Sequence, residues 1–449
     1  MKITTMKTIQ FLTVALMTLG VSTQVSYAQK IEFKEFDLDN GLHVILHEDH
    51  STPIVAVTVM YHVGSKNELP GRTGMAHFFE HLLFEGSANI GRGQYAKYVE
   101  NAGGALNANT SQDRTFYYDL LPSNQLELGL WLESERMLHA KVEIAGIETQ
   151  REVVKEEKRQ RVDNQPYGNL FSETLDHAFD VHPYSWAPIG SMADLNAAQE
   201  QDFKDFYKTY YVPNNAVLSI AGDLDIAQAK QLVQKYFGGI PRGTMYLPAV
   251  KEVEPLNKGE VRDTIPGKDQ LPMVVKAYHI PAQGTPDYYA VDLLNQVLSQ
   301  GQSSRLNKSL VDQQELALFC GAFTYNTEHP GLTLAYGLAN MGVDPKQVED
   351  AMNAEIERLK NELITEQEFQ KLRNQIENDF VSRNSNVAGI AESLANYHMY
   401  FGEANLINTE IERYMKVTRE DIMNAAKKYY VAQNGVVLYF LNDPTLMKQ

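Results

Sequence analysis

Within this 449-residue chain, His77-Phe78-Phe79-Glu80-His81 has residue types and a spacing that could do chemistry. On a helix, His77 and His81 stack one turn apart, and Glu80 shares their face. Two neutral imidazoles and a more distant carboxylate can make the three protein ligands of a catalytic Zn2+. A fourth position is then left for water, and the remaining Glu takes that water's proton. The pattern H-x-x-E-H inverts the H-E-x-x-H zinc motif. The competing reading is an amphipathic helix whose histidines are solvated or hydrogen-bonded in a core.

The third ligand is sought in the carboxylate-rich segment Gln150-Arg151-Glu152-Val153-Val154-Lys155-Glu156-Glu157. On a helix, Glu157 and Gln150 share a face two turns apart, Glu152 is rotated elsewhere, and Glu156 stays close enough to compete. Each of these carboxylates also fits a solvated helix face salted with Lys155, Lys158 and Arg159.

The elements that must position these groups are read from periodicity and turn residues. Residues 33–38 and 42–46, joined by Asn40-Gly41, and residues 54–62 show the β-branched enrichment and alternation of a hairpin with a neighbouring strand. Turn-rich residues 64–74 lead into the H-x-x-E-H helix, expected over 73–84 and closed by Gly86. A helix over 94–102 ends at Gly103-Gly104, and strands follow over 105–110 and 115–120. Helices are expected over 123–138 and 147–161. Strands and helices mix without clean βαβ alternation, which predicts an α+β fold.

Two cores of similar size are expected, because about 420 residues exceed what one core accommodates. Tyr210-Tyr211-Val212-Pro213-Asn214-Asn215-Ala216-Val217 aligns with Tyr429-Tyr430-Val431-Ala432-Gln433-Asn434-Gly435-Val436, each a helix running through a turn into an apolar strand. This reads as a duplication. The expected organisation is a signal peptide at 1–28, a first domain at 29–250, a connector at 251–267 broken by prolines and glycines, and a homologous second domain at 268–449. The second half is expected to begin with a strand over 273–279 and a helix over 285–298. A strand over 332–337 and helices over 345–363 and 366–384 complete it. It has no His pair where the motif would recur.

The first residues carry Lys2 and Lys7, an apolar run over 11–21 and the small-residue site Ser26-Tyr27-Ala28, the pattern of a cleaved signal peptide. Export, with the periplasm as destination, is expected. No later stretch has the length of a membrane span, so stable membrane insertion is not expected. Forty basic against 57 acidic residues leave a net charge of −17, which disfavours nucleic acid as a partner. A single cysteine, Cys320, excludes an intrachain disulfide framework. Its apolar run, residues 316–320, is expected to be buried.

Several segments together resemble the pitrilysin/insulinase family of zinc metallopeptidases, the inverzincins, in a half-size bacterial branch similar to the mitochondrial processing peptidase. They are the hairpin at Asn40-Gly41-Leu42, the run from Gly74 to Gly86, and Gly103-Gly104-Ala105-Leu106-Asn107-Ala108 with Thr110, Asp113 and Thr115. Gln150 to Glu157, His182-Pro183-Tyr184 and Ser303-Ser304-Arg305-Leu306 complete the set. The resemblance implies two homologous α+β domains, each a mostly antiparallel sheet with helices packed on it. It assigns Glu157 as third ligand, at the family's spacing from His81, of one Zn2+ per chain, with Glu80 as general base. It implies that a peptide substrate adds as a strand along Ala105, Leu106, Asn107 and Ala108. Two departures stand out. Gln150 occupies a position where many relatives carry Glu; its neutral amide can hydrogen-bond a ligand or an ordered water but lends no charge. Active relatives also bring an Arg and a Tyr from the second half to hold substrate, whereas Leu332-Thr333-Leu334 stands at the matching strand, and Arg305 is expected to support structure. The expectation is an exported zinc metalloendopeptidase acting on peptides or unfolded segments. It would work as a dimer, with a second copy or with a paralogous subunit that supplies Arg and Tyr. The alternative is a zinc-binding, catalytically weak scaffold subunit.

Overall fold

The computed structural model describes residues 30–245, 247–255, 259–443 and 445. The expected signal peptide and its cleavage site, and residues 256–258 of the expected connector, lie outside the described residues. Six strands form the first sheet: β1 (Lys34–Asp37), β2 (His43–Glu48), β3 (Ile54–Tyr61), β4 (Ala105–Thr110), β5 (Thr115–Pro122) and β6 (Ala216–Gly222). Their order is β1-β2-β6-β3-β5-β4. Only β2 and β6 run parallel; the other neighbours are antiparallel. The expected hairpin joins β1 to β2, and Asn40 donates its amide to the carbonyls of Phe237 and Ile240 (2.8 and 2.9 Å). The strand expected beside it, β3, is displaced by β6, which returns from far along the chain and inserts between them.

The second sheet has β7 (Val261–Gly267), β8 (Met273–Ile280), β9 (Ala317–Tyr325), β10 (Gly331–Ala339) and β11 (Gly435–Asn442) in the order β7-β11-β8-β10-β9. Apart from β1, this repeats the first sheet in order and direction, with β7 and β11 as the parallel pair. The strands that begin in the aligned repeat segments, β6 and β11, hold equivalent places. Within the expected connector, Val261–Gly267 is strand β7. Pro266 is tolerated there because β7 is an edge strand, where a missing N–H can face away from the ladder.

Alternation along the central strands feeds two different cores. Val57, Val59, Leu218 and Ile220 pack with helices of the first half, among them Met75–Leu82, Leu126–His139, Glu200–Tyr210 and Ile226–Phe237. Ala56, Met60, Val217 and Ala221, on the opposite face, pack with Ile390, Ala391, Leu394 and Ala395 of the helix Val387–Phe401 from the second half. The exchange is reciprocal. Leu175 and Ala178, on the helix Leu170–Ala178 of the first half, with Phe179 and Tyr184, cover Val275, Leu332, Leu334 and Leu438 of the second sheet. Each large apolar side chain removed from water is worth about 1.5–3 kcal/mol. Each sheet therefore draws part of its stability from the other half. A strand buried on both faces reads as an apolar run rather than as clean alternation, as Ile54–Tyr61 does.

Polar bridges fasten the same seam. Asp113, in the turn after β4, accepts from the Tyr184 hydroxyl (2.6 Å) and from the backbone N–H of Glu328 (2.9 Å) and pairs with Lys66 (3.0 Å). Glu328 also meets Lys66 and His62 Nε2, the latter at 2.7 Å. Arg114 reaches Glu392 of the helix Val387–Phe401 (2.6 Å). Arg305 pairs with both oxygens of Glu368 (2.9 and 3.2 Å), the structural role expected of it. The run 316–320 departs from expectation: it enters β9, the free edge of the second sheet, and leaves Leu318 53% and Phe319 46% exposed. Cys320 is half-buried, and burial pushes its thiol up to about 11.

Candidate metal centre

The motif helix is fixed at both ends. At its start Gly74 adopts φ 88°, a conformation that favours glycine, and a Cβ there would lie 2.9 Å from the Ile189 carbonyl oxygen. The buried Glu68 carboxyl accepts from the backbone N–H groups of Gly74 and Ala76, both at 2.8 Å, so it satisfies helix donors that would otherwise be orphaned. Burial pushes Glu68 up to about 8 despite those donors. Near the other end the Tyr117 hydroxyl donates to the Phe79 carbonyl (2.8 Å). Met75, Phe78, Phe79 and Leu82 are buried; Phe78 lies 4.5 Å from the ring of Phe203. With that face anchored in the core, His77, Glu80 and His81 are left only partly buried.

The helix Ile144–Lys158 packs against the motif helix. Ile147 and Val154 are buried on its inner side, and the buried Arg151 donates to the carbonyls of Leu195 and Ala198. This anchoring brings Glu157 to the His pair. Its Oε2 is 3.1 Å from His81 Nε2 and 3.6 Å from His77 Nε2, and the three potential ligand atoms lie within 4.8 Å of one another. The two imidazoles meet edge to face, with centroids 4.9 Å apart. Glu157 Oε1 is taken by Arg161 (2.8 Å), which leaves Oε2 to face the rings. Glu152 and Glu156 are exposed and pair with Lys155 and Arg159 instead.

Electrostatics suit a cation. Burial, reinforced by His81, pushes His77 down to about 4, so its imidazole is neutral and carries a free lone pair near neutral pH. The neighbouring His81 holds the Glu157 carboxyl below its ordinary range, with His77 and Arg161 adding to the effect. Glu157 Oε2 is buried and makes no well-formed hydrogen bond. Two imidazole nitrogens and a carboxylate oxygen whose ligand atoms converge within 4.8 Å form a donor set that Zn2+ fits. Burial raises Glu80, and a hydrogen bond from the Thr110 hydroxyl to its Oε2 (2.6 Å) opposes that rise.

The remaining expected residues lie around this centre. Gln150 Nε2 donates to Glu85 Oε1 (2.6 Å), and Glu85 also accepts from Arg92, so the amide is engaged beside the triad rather than with it. Ala105, Leu106, Asn107 and Ala108 lie on β4, the free edge of the first sheet, next to the motif helix. Leu332 and Leu334 are buried beneath the first half, so that part of β10 has no access to a peptide. Sequence reasoning missed Thr110 as the partner of Glu80, Arg161 as the partner of Glu157, and Glu68 as the helix cap. Of these, Glu68 had a local signal as an acidic residue shortly ahead of a helix start, and Arg161 had one as the i,i+4 neighbour of Glu157; Thr110 had none.

Fold and site together define a two-sheet α+β protein with a His/His/Glu metal-type centre and a free sheet edge beside it. A family model described as insulinase (peptidase family M16) matches residues 43–185, and one described as the peptidase M16 inactive domain matches residues 197–376. The zinc protease PqqE of Helicobacter pylori is 32% identical over 93% of this chain and 94% of its own length. A crystal structure of a protease from Helicobacter pylori matches with a TM-score of 0.87 at 28% identity, over 92% of this chain and 100% of the other. The periplasmic protease PqqL of Escherichia coli shares the fold at a TM-score of 0.74 and 18% identity, over 94% of this chain but 48% of its own. The chain belongs to the M16 peptidase family.

Proposed function

We propose that this chain is an exported zinc metalloendopeptidase that hydrolyses peptides or unfolded protein segments. The observation that carries the reading is the convergence of His77, His81 and Glu157 beside a Glu80 oriented by Thr110. His77 Nε2, His81 Nε2 and Glu157 Oε2 would hold one Zn2+, which when bound supplies a Lewis acid that polarises a carbonyl and makes water more acidic. Glu80 takes the proton of the attacking water on its carboxylate and delivers it to the leaving amine; partial burial makes that carboxylate a stronger base. The β4 edge over Ala105–Ala108 receives the substrate as an added strand through main-chain hydrogen bonds, so varied sequences are accepted.

The second half offers no Arg at Leu332–Leu334, and those leucines are buried. A second copy or a paralogous subunit supplies the missing Arg and Tyr. This chain matches about half the length of the solved PqqL chain, which supports an assembly of two such units. The description of PqqL as periplasmic supports export to that compartment. A second reading, a zinc-binding scaffold with weak catalysis, draws on the "inactive domain" description of the model matching residues 197–376. Chelator-sensitive cleavage of an unfolded peptide, assayed with the chain alone and with any co-purifying subunit, separates the two. Glu80→Gln retains zinc and fold and loses turnover by about 10²–10⁴-fold; His77→Ala loses the ion. Near-normal hydrolysis by Glu80→Gln would sink the assignment of the base.

A further inference from the structure

A second group of ligand-type side chains lies outside the peptidase centre, at the seam between the two halves. Glu35 of β1, His43 of β2 and His398 of the helix Val387–Phe401 bring their ligand atoms within 4.8 Å of one another. The topology explains the meeting. Glu35 and Asp37 lie two residues apart on β1 and so share a face, and Asp37 is the cross-strand partner of His43. The helix Val387–Phe401 packs on the face of the first sheet to which Ile45 contributes, and Ile45 is the partner of Glu35. His398 follows the buried Leu394 and Tyr397 on that helix.

The protonation pattern is that of a prepared ligand. Asp37 Oδ1 lies 2.8 Å from His43 Nδ1. A carboxylate can only accept, so Nδ1 carries the hydrogen and Nε2 is left as the ring's ligand atom. Metal-bound histidines are held in this way by carboxylates behind them. His43 Nε2 is buried, makes no hydrogen bond, and faces Glu35 Oε2 at 3.4 Å. The His398 ring lies over the His43 ring with centroids 3.3 Å apart and planes 8° apart.

We infer that Glu35, His43 and His398 form a second divalent transition-metal site that clips the second-half helix onto the first sheet. Two imidazoles and a carboxylate suit Zn2+, Ni2+ or Cu2+ and disfavour Mg2+ or Ca2+. An imidazole holds an ion in its own ring plane, and two parallel rings do not aim at one point. His398 therefore turns partly out of the stack on binding; it is only half-buried, four residues ahead of the helix-ending Gly402. The ligands come from both halves, so the ion binds the assembled fold more tightly than the unfolded chain and stabilises that fold by mass action. The inference is independent of the peptidase reading and adds a second ion to the one expected from sequence.

The test uses the full chain carrying His77→Ala and His81→Ala, which removes the first centre. After equilibration with micromolar Zn2+ and dialysis, elemental analysis should find one zinc per chain, and added Zn2+ should raise Tm. Introducing His398→Ala should abolish both effects. Should that variant fail to fold, Glu35→Gln, at an exposed position, keeps the fold and should weaken zinc binding at least about tenfold. The inference is overturned if the doubly substituted chain holds no zinc, or if neither His398→Ala nor Glu35→Gln changes zinc retention.

Discussion

Thr110→Val isolates the contact that orients the general base. The substitution keeps the branched shape of the side chain and removes only the hydroxyl that donates to Glu80 Oε2 at 2.6 Å. Hydrogen bonds to charged groups are worth about 1.5–3 kcal/mol; losing this one lets Glu80 rise further, so the cost is that of a base no longer held in line, with the bond's energy as its scale. At about 1.4 kcal/mol per tenfold in rate, kcat should drop about 10- to 150-fold. KM should change little, because the hydroxyl touches the base and Thr110 lies beyond the Ala105–Ala108 stretch assigned to substrate. Zinc content and Tm should stay near wild type, since Thr110 makes no contact with His77, His81 or Glu157 among the described hydrogen bonds. Thr110→Ser, which restores the hydroxyl, should recover most of the rate. The assay is steady-state cleavage of an unfolded peptide with metal content measured on the same samples. If Thr110→Val keeps near-normal kcat at full zinc occupancy, or if Thr110→Ser is equally impaired, the positioning role is refuted.

Other expectations concern the seam and the helix start. Burial alone would raise Glu328, but His62 and Lys66 overcome it and hold the carboxyl at about 2, below its ordinary 4.5. A depressed carboxyl contributes stability that is complete above the unfolded value and lost as pH falls through the folded one. Thermal melts should therefore weaken between pH 4.5 and 2, and Glu328→Gln should flatten that limb. Leu394→Ala opens a cavity where the second half covers the first sheet and should cost about 2–5 kcal/mol. Urea unfolding of that variant should remain a single transition, and two separable transitions would contradict the reciprocal packing. Gly74→Ala forces an alanine into φ 88° and should cost about 1–2 kcal/mol. Zinc affinity should fall with stability in that variant, as metal titration can show.

Features set by neighbours along the chain were legible. The histidine spacing needs only a helix, the strand over 54–62 announces itself by β-branched residues, and the strand over 105–110 by the turn residues on either side of it. Alternation went astray at residues 316–320, because an apolar edge strand and a buried strand carry the same residues; what differs is whether another layer covers them. The duplication was visible as aligned segments, yet nothing in them indicated that each half would lend a helix to the other's sheet.

By itself the sequence determined the motif helix, the α+β mixture of elements and the absence of a second His pair in the latter half, since these follow from local spacing and composition. It left Glu156 open as a competitor to Glu157, and only the resemblance preferred one. Tertiary structure brought Glu157 to His77 and His81, placed β6 between β2 and β3, set Thr110 against Glu80 and stacked His398 on His43. The physical reason is shared by all four. Each depends on groups far apart in sequence whose meeting is set by which apolar faces bury one another, and periodicity reveals that a face is apolar without revealing its partner.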